Sequence, residues 1–141
     1  MSTLHEQSKG FVMKWVFIKN SFAAVLLLVS ISTLAMDIEP YTPEEFLKRQ
    51  KAGEVVSLSF FAKWCSTCLM QEKVFHSFKG DAAVPGTLLV VDYDQSRQIM
   101  KKLRVHAQST LIVFKGHVEI HRSGGITDPK VLRAALQAAP E

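Results

Sequence analysis

The chain has 141 residues, 48% of them apolar, enough for one globular domain with a core of its own and too few for two. Its 17 basic and 13 acidic side chains leave a net charge of only +4, and no aromatic residues are interleaved with basic clusters, which excludes nucleic acid as an expected partner. Two cysteines three apart cannot staple a fold, and His76, His106, His117 and His121 do not follow zinc-finger spacing, so no metal and no organic cofactor is expected.

The chain opens with a polar stretch to Gly10, and Met13 is a second candidate start. Residues 14–19 are basic and apolar, and residues 21–36 are almost wholly apolar or small. A positive region followed by an apolar run of this length reads as an export signal, residues 1–35, with small residues at Thr33 and Ala35 placing a cut after Ala35. The rival reading is an uncleaved signal anchor, the only route by which this chain would meet a membrane. Either reading puts the domain, residues 36–141, outside the cytoplasm, and in a bacterium that is the periplasm.

Asp37 to Tyr41 reads as a polar lead-in. Thr42-Pro43-Glu44-Glu45 combines an N-cap threonine, proline at the first helical position and glutamate at the third, a capping-box start for a helix that runs to about Lys51 and closes at Gly53. Phe46 and Leu47 supply its apolar side; Lys48, Arg49 and Lys51 read as a solvated face. Residues 55–61 are a β-branched and aromatic run of strand length, and residues 65–78 read as an amphipathic helix with Val74, Phe75 and Phe78 inward. Pro85-Gly86 marks a turn, residues 87–91 a second buried strand, and Asp94 a cap for a short helix to Leu103. Residues 110–114 and 118–122 flank Lys115-Gly116-His117 as a hairpin at one side of the sheet, which ends at Gly124-Gly125. Asp128-Pro129 starts a last helix with Val131, Leu132, Ala135 and Leu136 inward. The order is α, β, α, β, α, β, β, α, which implies an α/β fold with a central mixed sheet flanked by helices.

Trp64-Cys65-Ser66-Thr67-Cys68 falls where the first strand ends and the second helix begins. Only a thiolate attacks a disulfide, and the first turn of a helix offers unpaired N–H groups and positive potential to stabilise one. Cys65 is therefore the expected nucleophile, at an exposed helix start, and Cys68, on the same helix face, the expected resolving thiol. Lys63 adds a cation that lowers the nucleophile's pKa if its side chain turns towards the sulfur. His106 and His121 could lie near the site, although a lone histidine is more often a surface or satisfied residue.

Trp-Cys-x-x-Cys after a hydrophobic strand, the strand from Thr110, the hairpin and Gly124 together resemble the thioredoxin-like superfamily over residues 42–139. Phe60-Phe61-Ala62-Lys63-Trp64-Cys65, with Glu72-Lys73 and Phe75 after Cys68, is most similar to exported thiol–disulfide interchange proteins such as the C-terminal domain of the membrane electron transporter DsbD. The resemblance implies protein disulfides as substrates, a membrane thiol donor of that type, and a substrate groove formed by Trp64, Ser66, Thr67, Gln108, Ser109, Thr110 and Gly124. It also implies that Glu72, one turn beyond Cys68, adjusts the thiol pKa values.

The chain departs from the family in three places. Ser59 stands where thioredoxins carry a buried aspartate, Ser109 stands where they carry a cis-proline, and the dipeptide between the cysteines is Ser66-Thr67 in place of Gly-Pro. A cis bond before a residue other than proline costs about 2.5–4 kcal/mol, so the Gln108-Ser109 peptide is either strained or trans and differently shaped. The expected function is an exported thiol–disulfide oxidoreductase on the reducing side. An oxidase or isomerase is the alternative enzyme, and a binding or chaperone module with a permanent Cys65–Cys68 bridge is the alternative from another class.

Overall fold

The computed structural model describes residues 35–138, which form, in order, β1 (Asp37–Pro40), α1 (Pro43–Lys51), β2 (Val55–Phe61), α2 (Ser66–Phe78), β3 (Thr87–Asp92), α3 (Arg97–Leu103), β4 (Thr110–Lys115), β5 (Val118–Gly124) and α4 (Pro129–Leu136). The expected export signal or anchor lies outside the described residues apart from Ala35. One mixed sheet has the strand order β1-β3-β2-β4-β5. β2 at its centre runs parallel to β3 and antiparallel to β4, β1 adds parallel to β3, and β5 closes the other edge as the hairpin partner of β4.

The period-two alternation of the strands sorts the core into two layers. Val56, Leu58, Phe60, Leu89, Val91, Ile112 and Phe114 face Phe46 of α1 and Ile99 of α3. Leu88, Leu111 and Val113 face the other way, against Phe75 and Phe78 of α2 and Leu132 and Leu136 of α4. On that face β2 contributes only the small side chains Ser57 and Ser59, both buried. The C-terminal ends of β2 and β3 and the start of β4 therefore share one edge of the sheet, and α2 begins there.

The expected helix starts are present. Thr42 Oγ1 accepts the amide of Glu45, and Asp128 accepts those of Lys130 and Val131. Only half of the first capping box forms, because the Glu45 carboxylate turns to Lys48 and Arg49.

Five expectations are corrected. The lead-in is a strand: Ile38 and its neighbours pair with β3, an edge position that tolerates Pro40. Asp94 caps nothing; α3 starts after Ser96, whose side chain makes no cap bond, and Asp92 accepts the amides of Asp94 and Gln95. Leu47 and Val131 are exposed, each lying one position off the buried stripe of its helix. Arg49 is not part of a solvated face: its side chain is only 14% exposed and reaches Glu39 at 3.0 Å, Glu45 at 2.9 Å and Glu54 at 3.2 Å. It thereby ties α1 to β1 and to the turn before β2.

Replacing Arg49 leaves three carboxylates facing one another without their common cation. Arg49→Ala is expected to lower stability by about 1–3 kcal/mol in urea unfolding, with Arg49→Lys recovering only part, because an ammonium cannot present a planar fork to three acceptors. An unchanged urea midpoint for the alanine variant would contradict this.

Candidate functional site

At the shared sheet edge, β2 passes into α2 through a tight turn in which the Cys65 amide donates to the Ala62 carbonyl at 3.1 Å. Cys65 is the N-cap of α2 and takes extended backbone angles, so its own side chain caps the helix: Cys65 Sγ accepts the Cys68 amide at 3.1 Å. This is the place a serine or aspartate oxygen usually fills. Cys65 and Cys68 form a disulfide, with Cα atoms 5.2 Å apart. The pair packs with Ala62 and against Phe61 and Tyr93. Cys65 is more enclosed than expected for an exposed helix start, at 6% exposure against 2% for Cys68. The covering element is the loop before β4.

That loop resolves the question raised by the missing proline. No peptide bond among the described residues is cis; instead Ser109 takes the left-handed region, with φ +60°. For a residue with a Cβ this costs on the order of 1–2 kcal/mol. Three hydrogen bonds hold it there: its amide donates to the Phe60 carbonyl at 2.8 Å, and its carbonyl accepts from the Gly125 amide at 3.0 Å and from Gln71 Nε2 at 3.2 Å. Ser109 is 4% exposed, and its hydroxyl oxygen lies 3.1 Å from each of the two sulfurs.

The sulfurs have unlike surroundings. Cys65 Sγ meets two donors, the Cys68 amide and the Ser109 hydroxyl. Cys68 Sγ meets the same hydroxyl, but its other neighbour is an acceptor, the Phe60 carbonyl at 3.9 Å. Donors favour a thiolate, whereas a carbonyl favours the protonated thiol.

The remaining expected site residues divide. Thr110 pairs with Gly124 across the hairpin, and the Thr110 hydroxyl donates to the Ala107 carbonyl at 2.7 Å, so both residues flank Ser109. Trp64 is 63% exposed, and its indole N–H donates to Asp94 at 2.9 Å. Ser66 is exposed, while Thr67 and Gln108 are half-buried. Lys63 is exposed, and neither it nor Glu72 hydrogen-bonds a sulfur among the described residues. Glu72 instead sits 3.8 Å from His76 and, with Ser59 and Phe61, lines a narrow cleft between α2 and the sheet. The His106 carbonyl accepts from the Tyr93 hydroxyl, and His121 lies opposite Val113 within the hairpin. No grouping of His, Cys, Asp and Glu among the described residues could hold a metal ion.

One site residue escaped the sequence reading. Gln71 is 2% exposed, and its Nε2 donates both to the Ser109 carbonyl and, at 2.7 Å, to that of Ile126. It thus joins the motif helix to the two loops that face it. The signal was its place in the buried stripe Cys68, Gln71, Phe75, Phe78, where a polar side chain needs inward partners.

The family model described as Thioredoxin matches residues 37–138. The chain is 37% identical over 78 residues to a thioredoxin of Chlamydia trachomatis, covering 55% of this chain and 74% of that one. It is 30% identical over 91 residues to a Caenorhabditis elegans peptide-N(4)-(N-acetyl-beta-glucosaminyl)asparagine amidase, of whose length it spans only 15%. Among solved structures, it is similar to Trxlp of Edwardsiella tarda with a TM-score of 0.67 and 31% identity, covering 70% of this chain and 97% of that one. The thioredoxin of Malassezia sympodialis follows at 0.63 and 27%, with 73% and 94% covered.

If Gln71 fastens the facing loops, Gln71→Leu keeps the bulk but leaves the buried Ile126 carbonyl without its partner. A loss of about 1–3 kcal/mol in urea unfolding is expected. Amide exchange at Ser109 and Gly125 should accelerate by more than about tenfold relative to β3. Unchanged protection at those two amides would show that the helix and loops hold together without it.

Proposed function

From the premise that this chain belongs to the thioredoxin family and is a thiol–disulfide oxidoreductase with a Cys-x-x-Cys pair, we propose that it reduces protein disulfides, with Cys65 as nucleophile and Cys68 as resolving thiol. The observation that carries this assignment is the asymmetry of donors. The Cys65 sulfur caps α2 and takes two donors, while the Cys68 sulfur is turned to a carbonyl. The thirteen-residue helix adds positive potential at Cys65, which acts in the same direction.

The Cys65 thiolate attacks one sulfur of the substrate disulfide. The bond between Cys65 and that sulfur forms, the substrate's own S–S bond breaks, and its other sulfur leaves as a thiolate that takes a proton from water. Cys68 then gives its proton to solvent and attacks Cys65 Sγ. The Cys65–Cys68 bond forms, the bond to substrate breaks, and the second substrate thiolate departs. Two electrons pass from the dithiol to the substrate, and a dithiol donor must restore them. The basic and apolar residues 14–36 support an exported protein, for which a membrane thiol transporter of the DsbD type would be that donor. The exposed Trp64, Leu69 and Met70 beside the motif give an apolar rim suited to a substrate chain.

Insulin reduction with a chemical dithiol recycling the protein tests these roles. Cys65→Ala is expected to fall to the uncatalysed rate, and Cys68→Ala to accumulate a mixed disulfide through Cys65. Traps that form through Cys68, or turnover surviving in Cys65→Ala, would overturn the assignment. A pair with no exchange activity and a reduction potential below about −300 mV would instead be a permanent bridge in a binding module.

A further inference from the structure

We infer that the Ser109 hydroxyl is a hydrogen-bond donor shared by the two sulfurs, given to whichever of them carries negative charge as exchange proceeds. The inference rests on the exchange chemistry proposed above and adds a catalytic residue to it.

Ser109 Oγ is 3.1 Å from Cys65 Sγ and 3.1 Å from Cys68 Sγ, and among the described residues it is the only side chain outside the pair that hydrogen-bonds either sulfur. No carboxylate is found among the buried described residues, and Ser59 replaces the acid that the family places behind the second cysteine. A hydroxyl has one proton to give, so it serves one sulfur at a time, and a thiolate is a far better acceptor than a disulfide sulfur. In the reduced protein the charge lies on Cys65. Once Cys65 is tied up in the mixed disulfide, the charge that must develop is on Cys68. Turning the O–H about the Cβ–Oγ bond carries the donor from the first sulfur to the second, and no heavy atom of Ser109 moves.

The backbone supports this role. Ser109 sits at φ +60°, where glycine would fit without steric cost, and its amide and carbonyl are fixed by Phe60, Gln71 and Gly125. What the strained residue contributes beyond glycine is the oxygen, held at equal reach of both sulfurs. Donation to Cys65 adds to that of the Cys68 amide. For Cys68 it offsets the Phe60 carbonyl, which would otherwise hold the thiol protonated.

The test separates the sulfurs. In full-length protein carrying either Cys68→Ala or Cys65→Ala, iodoacetamide alkylation of the remaining cysteine is followed against pH for Ser109, Ser109→Ala and Ser109→Gly. Near-ultraviolet dichroism verifies that each variant is folded. Both substitutions at position 109 should raise the apparent thiol pKa by about one unit in each background, an approximately tenfold slower alkylation below the transition. Ala and Gly share the loss of the hydroxyl but differ in backbone strain, so they should agree. A shift for only one cysteine, for neither, or for Ala without Gly would overturn the shared donor. The titration reads the thiols directly, so its outcome is separate from whether the unsubstituted chain reduces insulin.

Discussion

The hydrogen bond from the Cys68 amide to the Cys65 sulfur is the contact on which the site depends. It exists because β2 ends one turn before α2 begins, so that residue 65 falls at the N-cap and residue 68 at the third helical position. The same spacing brings both side chains to one face of the helix and seats them against the loop before β4. A strand one residue longer would place a different side chain at the cap and turn the second cysteine from the sheet. The sheet order fixes the rest, because central β2 has β3 on one side and β4 on the other, and their ends meet at the cysteines.

Two serines mark where this chain departs from its family, and they have different consequences. Ser59 faces α2 from the central strand with another small side chain, Ser57, on the same face, and Glu72 and His76 close the cleft above it from the helix. Ser109 replaces a rigid ring by a hydroxyl without a cis bond, because left-handed backbone angles and three hydrogen bonds shape the loop instead. The first substitution removes a carboxylate from behind the pair. The second brings a neutral donor to both sulfurs from the front.

Much of this was legible in the sequence because the signals were local. Thr42-Pro43 and Asp128-Pro129 start helices by satisfying their own first amides, the cysteines are three apart, and alternating apolar residues place β2, β3 and β4. What was missed depends on distant partners. Asp37–Pro40 is a strand only because β3 lies beside it, and Arg49 is drawn inward by Glu39 and Glu54 from outside its own helix. Gln71 is a site residue because two carbonyls, at Ser109 and Ile126, converge on it from loops far along the chain. The enclosure of Cys65 has the same origin, since the loop that covers it begins some forty residues downstream.

The helix cap and the donor asymmetry assign opposite characters to two sulfurs that share one turn of backbone. The most direct measurement is the pH titration of the cysteine Cβ resonances in the reduced, unsubstituted protein, which reports each thiol separately. Cys65 should lose its proton below the ordinary thiol value of about 8.5 and before Cys68. Titration of Cys68 first, or of both together near 8.5, would contradict the assignment of Cys65 as the activated sulfur.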